Sequence, residues 1–445
     1  TTKKDGIQMP WDKVLQFAPE KQKDFSPATD KETIKILSEK CPLVTRVLEL
    51  GSVGTIVKSF LKAPDKNGNE QGLHKWICDD GRLHCNFACT ETGRPRSWNP
   101  NVLNYPKAVT KPIEAAFQRL GQDKPYSLRS CVQAPKDWCL IDADLETAEV
   151  VSLAYIAGDE EMIAVCTSED ENFIEVDTEQ ADSLGVPWLR FKGMDVARKE
   201  NLAGKESCIK GEGKHPLRDM HWEMAETMTG KTREELDPDV DRTSGKVGMF
   251  SIPYGASPNL LERTIESITG TKPTEGLGEK LIEAYETKFP VAAFFLRSQE
   301  AKVEDPGYYR SISGRVRHFH THSVDAGLSE YARKSMLAPL MREARNYPMQ
   351  EIVAATMSRA AVKLLDYFIS LGMEARPMIL LHDALTVLAP ISERWKVKEL
   401  MEECMSTSTT WSVNDKTLQF GIDVDFAMRW GMKPTESERS LLYNK

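Results

Sequence analysis

Nowhere in this chain does an apolar run reach the roughly 20 residues that a helix needs to cross a bilayer, so a helical membrane protein is excluded. A positively charged, then apolar, then small-residue leader is also missing from the start, and the expectation is a soluble, cytoplasmic protein that meets no membrane. Cysteine is scarce: nine residues in 445, an odd number thinly spread, make no disulfide framework. The tightest grouping, His74, Cys78, His84, Cys85 and Cys89, fits no zinc-ligand spacing. Positive charge is not in excess, with 58 Lys and Arg against 67 Asp and Glu for a net charge of −9. That rules out a wholly basic nucleic-acid coat. It leaves room for a DNA enzyme, because a basic cleft can sit on an acidic body. No internal repeat points to a solenoid or propeller.

What is present is a chain 40% apolar and 28% charged, long enough to bury a large core in two or three subdomains. Residues 1–30 are polar and punctuated by Pro10, Pro19 and Pro27, the mark of a loosely packed segment. Apolar spacing at Ile34, Ile36 and Leu37, then at Leu43, Val44, Val47 and Leu48, predicts two helices within 31–62. Short alternating runs around Gly81 predict a hairpin over 76–89. Residues 138–144 form a buried-strand pattern that passes directly into a helix over 146–156, ended by Gly158. Residues 166–215, with an acidic run at 168–172 and little periodicity, read as an insertion. Helical spacing returns at 217–228, 239–252, 258–268, 276–300, 326–344 and 349–371. A strand over 377–381 meets His382 and Asp383 at a turn, and 385–388 leaves as its partner strand.

Two features carry chemistry. Asp144 and Asp383 each stand at the end of an apolar strand, which holds a carboxylate rigidly at a surface. On adjacent strands, such a pair could hold two divalent cations about 3.5–4 Å apart, clamping the attacking and leaving oxygens of an in-line phosphoryl displacement. Magnesium takes one or two carboxylates plus substrate phosphates, so two aspartates suffice. Either residue alone reads equally well as turn chemistry or a helix N-cap. The second feature is Arg242, Lys246, Phe250 and Tyr254, recurring every four residues and followed by Gly255. At about 3.6 residues per turn they make one slowly drifting helix face. Two cations suit a triphosphate, and two aromatics suit stacking against a base or sugar.

In this order the segments resemble three motifs of the family-A (DNA polymerase I-like) DNA polymerases. Asp144-Leu-Glu-Thr-Ala-Glu149, continuing to Asp159, is similar to the first motif. The resemblance implies that Asp144 binds metal and that Glu149 crowds the sugar 2′ position and excludes ribonucleotides. Arg242, Lys246, Phe250 and Tyr254 resemble the second motif, on the helix that binds the incoming nucleotide, with Lys246 serving catalysis as well. His382-Asp383 resembles the third, giving the second metal-binding aspartate. Further segments extend the resemblance from about residue 26 to residue 431. Arg94, in Thr92-Gly-Arg94, and Asn104 match a segment at the primer–template junction. Arg342, Asn346 and Gln350 match duplex minor-groove and template contacts, and His382 is grouped with these DNA-binding residues. Asp219-Met-His221 matches the point where a histidine touches the triphosphate, and Gly307-Tyr308-Tyr309 with Gly314-Arg315 matches a signature turn of the fingers. Minor-groove acceptors are common to every base pair, so donors such as Arg94 and Gln350 can check pair geometry without reading sequence.

The resemblance implies an α+β, right-hand polymerase fold with an antiparallel-sheet palm, helical fingers and a partial thumb, without a complete exonuclease domain. The expected divisions are an N-terminal segment and partial thumb at 1–62, palm at 63–160, insertion at 161–216, fingers at 217–340 and palm again at 341–445. The implied function is DNA-directed DNA synthesis on primer–template DNA from deoxynucleoside triphosphates, using two Mg2+ ions with Mn2+ as a substitute. A phage source, a separate chain supplying thumb and exonuclease, and a processivity factor are further expectations. Single-subunit RNA polymerases and a catalytically impaired nucleic-acid-binding subunit are the competing readings. Three departures stand out: Ala384 replaces an acid commonly found after the third-motif aspartate, Pro253 interrupts the nucleotide-binding face, and Gly245 sits where a better helix former is usual. Together Pro253 and Gly245 predict a less rigid helix there.

Overall fold

A central four-stranded antiparallel sheet organises the chemistry. The computed structural model describes residues 41–60, 63–64, 67–68, 70–107, 109, 111–121, 127–168, 174–175, 189–191, 194–197, 208–210, 218–321, 329–407 and 411–443. The chain divides into two compact units, one of Thr1–Ala88, Arg96–Gln133 and Arg429–Lys433, the other of Cys89–Pro95, Ala134–Met428 and Pro434–Lys445.

The first unit contains helix α1 (Pro42–Phe60), the short paired strands β1 (Ala63–Pro64) and β2 (Glu70–Gln71), and helix α2 (Lys111–Arg119). Strands β3 (Asn86–Cys89) and β4 (Pro95–Trp98) form a hairpin. Tyr105, 2% exposed, anchors this unit: its ring meets Phe60 edge-on at 5.6 Å, and its carbonyl accepts from Arg129 Nε at 3.0 Å. Of the two helices expected within 31–62, the second is α1; residues 31–40 lie outside the described residues. The hairpin expected around Gly81 is a turn closed by one bridge, Ile77 to Leu83.

In the second unit β5 (Trp138–Leu145) leads into α3 (Ala148–Ala157) and α4 (Glu160–Thr167). Gly158 caps α3 in the left-handed region at φ 74°, as the sequence predicts. Residues 166–215 are not without regular structure: β6 (Ile174–Glu175), β7 (Leu189–Phe191), β8 (Met194–Ala197) and β9 (Cys208–Lys210) form a small sheet in the order β6-β9-β8-β7. Then follow α5 (Met220–Thr229), α6 (Asp241–Ser251), α7 (Pro258–Thr269), α8 (Leu277–Lys288) and α9 (Pro290–Ala301). The single helical stretch expected at 276–300 is split, because Pro290 has no N–H to continue α8 but suits the first turn of α9. After the hairpin β10 (Tyr308–Arg310) and β11 (Val316–His318), a 41-residue helix α10 (Glu330–Ser370) runs through both Pro339 and Pro348. The sequence spacing predicts two helices there, parted near Pro348. Most of the 344–368 side is buried, and that packing outweighs one lost backbone bond. The chain closes with β12 (Arg376–Leu381), β13 (Ala384–Pro390), α11 (Arg394–Glu402), β14 (Trp411–Val413), β15 (Lys416–Leu418), β16 (Ile422–Ala427) and α12 (Glu436–Tyr443).

The main sheet has the order β12-β13-β5-β16. Cys139, Ile141, Ala143 and Leu145 of β5 alternate into the core with Leu385 and Val387 of β13 and Phe426 of β16. Helix α3 is buried nearly all round, against α10 and α9. Asp159, 2% exposed, ties these layers: one carboxylate oxygen caps α4 through Met162 N–H at 3.0 Å, the other caps α9 through Ala292 N–H at 2.9 Å.

Candidate active site

Strand pairing sets the two aspartates. Ala384 lies directly across from Asp144 in the β13–β5 register, so Asp383, the last residue of the β12–β13 turn, stands one step beyond it. The Leu145 N–H donates to the Asp383 carbonyl at 3.0 Å, and the Glu146 N–H donates to the Gly421 carbonyl at 2.9 Å. The chain that follows Asp144 is therefore pinned from both sides before α3 begins. His382 is exposed and holds the turn in the left-handed region at φ 57°. Asp144 is exposed and Asp383 half-buried. Burial lifts the Asp383 carboxyl above its ordinary range, and the charge of Glu149 pushes the same way.

Glu149, in the first turn of α3, is the hub. One carboxylate oxygen receives the Arg94 guanidinium, the other the Tyr254 hydroxyl, and Gln350 Nε2 reaches that hydroxyl at 3.3 Å. Burial, with Glu149's charge, pushes the Tyr254 phenol well above its usual range, so it remains a donor. The structure thus gathers Arg94, Glu149, Tyr254 and Gln350 beside Asp383. Tyr254 is not on the helix face the four-residue spacing predicts. Helix α6 ends at Ser251, ahead of Pro253, and the turn delivers Tyr254 to Glu149. Arg345 of α10 satisfies the freed carbonyls, donating to Ile252 O at 2.9 Å and Pro253 O at 3.2 Å.

The other three members of the stripe lie on α6 itself. Arg242 donates through Nε at 3.0 Å and a terminal nitrogen at 2.8 Å to one oxygen of Asp219, while the other Asp219 oxygen caps α5 through His221 N–H at 3.0 Å. Lys246 is exposed, and Phe250 is 38% exposed with its ring 5.5 Å from that of His221. Burial pulls the His221 imidazole down to about 4; Asp219 opposes this, while Arg242 and Lys246 reinforce it. Its Nδ1 is buried with no partner among the described residues. Glu149, Phe250, Pro253 and Tyr254 line one crevice, which joins the two groups of residues.

Gly245 has a packing reason that helix propensity alone does not show. A Cβ there would stand 2.1 Å from the His221 carbonyl oxygen, so glycine is what lets α5 and α6 approach this closely. Arg342, Asn346 and Gln350 repeat every four residues along α10, Arg342 exposed beside Gly255 and Asn346 with its buried Oδ1 unpartnered among the described residues. Asn104 is exposed in the first unit.

Asp423 escaped the sequence reading. It lies opposite Asp144 on β16, so Asp144 is flanked by Ala384 on one side and a carboxylate on the other. The alternation Ile422-Asp-Val-Asp-Phe-Ala427 carried that signal. Among the described residues no three His, Cys, Asp or Glu side chains are arranged to hold a metal ion by themselves. Two hard carboxylate donors at neighbouring strand ends, one with a raised pKa, fit a cation that draws its remaining ligands from substrate phosphates and water.

Aligned with the thermostable DNA polymerase I of Thermus aquaticus, the chain is 26% identical over 381 residues, 85% of this chain and 36% of that one. With the DNA polymerase I of Streptococcus pneumoniae it is 22% identical over 402 residues, covering 90% and 36% respectively. The chain therefore spans about a third of the length of these relatives. Its fold is similar to that of the POL domain of Pol1 from M. smegmatis, solved in complex with DNA primer-template and dNTP, with a TM-score of 0.61 at 18% identity over 92% of this chain and 57% of that one. Residues 10–183 and 201–432 match the family described as DNA polymerase family A, and the chain belongs to it.

Proposed function

We propose that this chain is the synthesising part of a DNA-directed DNA polymerase, extending a primer 3′ end on a template with deoxynucleoside triphosphates. What supports the reading is the register that puts Asp383 one step beyond the residue paired with Asp144, beside the Glu149 hub, with Phe250 and Tyr254 sharing a crevice with Glu149. In this reading the main sheet is the palm and α5–α9 the fingers. Asp144 and Asp383 hold divalent cations, Mg2+ or Mn2+, which when bound supply charge neutralisation for phosphoryl transfer. Arg242, Lys246 and His221 receive the triphosphate. Since catalysis of phosphoryl transfer is mostly positioning and charge stabilisation, these residues need only be held in place. The buried, neutral His221 can donate a hydrogen bond without adding charge, and Asp219 orients Arg242 until phosphate competes for it. Phe250 and Tyr254 flank the base and sugar, with the Tyr254 hydroxyl fixing Glu149 as a wall at the sugar 2′ position. Arg94, Asn104, Arg342, Asn346, Gln350 and His382 face the primer–template duplex.

The test is primer extension by this chain with and without magnesium, comparing deoxy- and ribonucleotides. Magnesium-dependent, template-directed addition with a strong preference for deoxynucleotides is expected. Binding of primer–template without extension would leave only a nucleic-acid-binding subunit, and ribonucleotide preference would point to RNA synthesis.

A further inference from the structure

Arg94 reaches Glu149 from the end of a tight turn, and that turn is gripped from outside. Thr90 N–H donates to the Arg94 carbonyl at 2.8 Å and Gly93 N–H to the Thr90 carbonyl at 2.9 Å, so the five residues 90–94 close on themselves. Gly93 takes φ +83°, and a Cβ there would fall 2.1 Å from Arg315 Nη1 and 2.7 Å from its Cζ. The Arg315 guanidinium thus bears directly on the glycine, in space no other residue leaves open. Two positions along, Arg317 pairs with Glu91 of the turn at 2.7 Å and with Glu343 of α10 at 2.6 Å. Glu351 of α10, fully buried, accepts the Ser313 hydroxyl and has Arg315 Nε at 3.7 Å. A buried carboxylate is costly without a cation beside it, which gives Arg315 a fixed place. Both arginines belong to the segment around the β10–β11 hairpin, backed by α10, and α10 also supplies Gln350 to the Tyr254 hydroxyl.

We infer that the β10–β11 hairpin is a positioning clamp for Arg94: Arg315 and Arg317 hold the 90–94 turn so that Arg94 keeps Glu149 fixed, and thereby set how strictly the sugar of the incoming nucleotide is selected. The inference deepens the proposed function and rests on it. Glu149 has two restraints, Arg94 on one oxygen and Tyr254 on the other. The Arg94 contact is an ion pair with charge on both partners, so slack in the turn loosens the carboxylate that forms the wall. Arg315 fixes how near the turn can come, and Arg317 fixes it laterally.

Two readouts test this. The first needs no activity: in Arg317→Ala, hydrogen exchange at the amides of residues 90–94 speeds up about ten-fold, the effect of losing one charge-assisted hydrogen bond, with thermal unfolding confirming a folded protein. Unchanged exchange overturns the clamp even if the chain proves to be no polymerase. The second is the ratio of kcat/KM for a deoxynucleotide to that for its ribonucleotide. It falls about ten-fold in Arg317→Ala and in Arg315→Ala, and Arg315→Lys recovers part of the loss. Adding Arg317→Ala to Arg94→Ala leaves the ratio of Arg94→Ala unchanged, because the clamp acts only through Arg94. Full additivity, or a normal ratio in the folded single variants, overturns the proposal. Absence of extension by the unmodified chain would instead count against the polymerase reading.

Discussion

Replacing Gly245 with alanine sets two effects of known size against each other. In a helix interior alanine is better than glycine by about 1 kcal/mol, so α6 alone predicts a gain. Packing predicts the reverse. The new Cβ would stand 2.1 Å from the His221 carbonyl oxygen, 3.1 Å from its carbonyl carbon and 3.2 Å from the Ala225 nitrogen. All three are backbone atoms of α5 and cannot rotate aside, so the helices must part by roughly 1 Å to reach ordinary contact. Overpacking of this kind costs roughly 1–3 kcal/mol, leaving a net loss of about 0–2 kcal/mol in urea unfolding. The functional effect is larger. Helix α5 carries His221 while α6 carries Arg242, Lys246 and Phe250, and a misplacement of about 1 Å can cost on the order of 10²-fold in rate. Primer extension by Gly245→Ala should therefore fall about 10- to 100-fold in kcat/KM for the nucleotide. A variant as stable as the parent with an unchanged kcat/KM for the nucleotide would refute the close-packing argument.

Other consequences follow from single residues. Asp159→Ala strips the caps of α4 and α9 together and should cost about 2–3 kcal/mol by urea unfolding, roughly twice a single cap; a loss below 1 kcal/mol would mean the two bonds are dispensable. His221 has a folded value of about 4, below its ordinary 6.5, so the folded state favours the neutral ring. That stabilisation is complete above pH 6.5 and lost as the pH falls toward 4, amounting to at most about 3 kcal/mol. His221→Gln cannot titrate and should lose less stability than the parent between neutral pH and pH 4.5; equal losses would contradict the burial argument. Glu149→Ala should raise ribonucleotide incorporation relative to deoxynucleotide by at least about ten-fold, and unchanged sugar selectivity would remove Glu149 from the gate.

The parts of the fold legible in the sequence were those written in local periodicity. The apolar runs of β5, β12 and β13 placed Asp144 and Asp383 at strand ends, and Gly158 marked the end of α3. Proline was the main source of error, because its effect depends on what surrounds it. Pro290 divided α8 from α9 and Pro348 sits inside α10, where core packing outweighs the missing bond, whereas Pro253 ended α6 before Tyr254 as its missing N–H predicts. Gly245 looked like a weakness and is a fitting of one helix against another. The Glu149 hub joins residues 55 and 105 positions apart, a link no local pattern contains. Asp423 was visible only as strand alternation; its place opposite Asp144 depends on the order of strands in the sheet.

Magnesium-dependent primer extension by Asp144→Asn and Asp383→Asn, measured on protein shown to be folded, bears most directly on the proposal that these two carboxylates serve one reaction. Each substitution keeps the shape of the side chain and removes its charge. A fall on the order of 10³-fold or more in either variant, with primer–template binding retained, is the predicted result. Near-normal extension by either one would contradict the assignment.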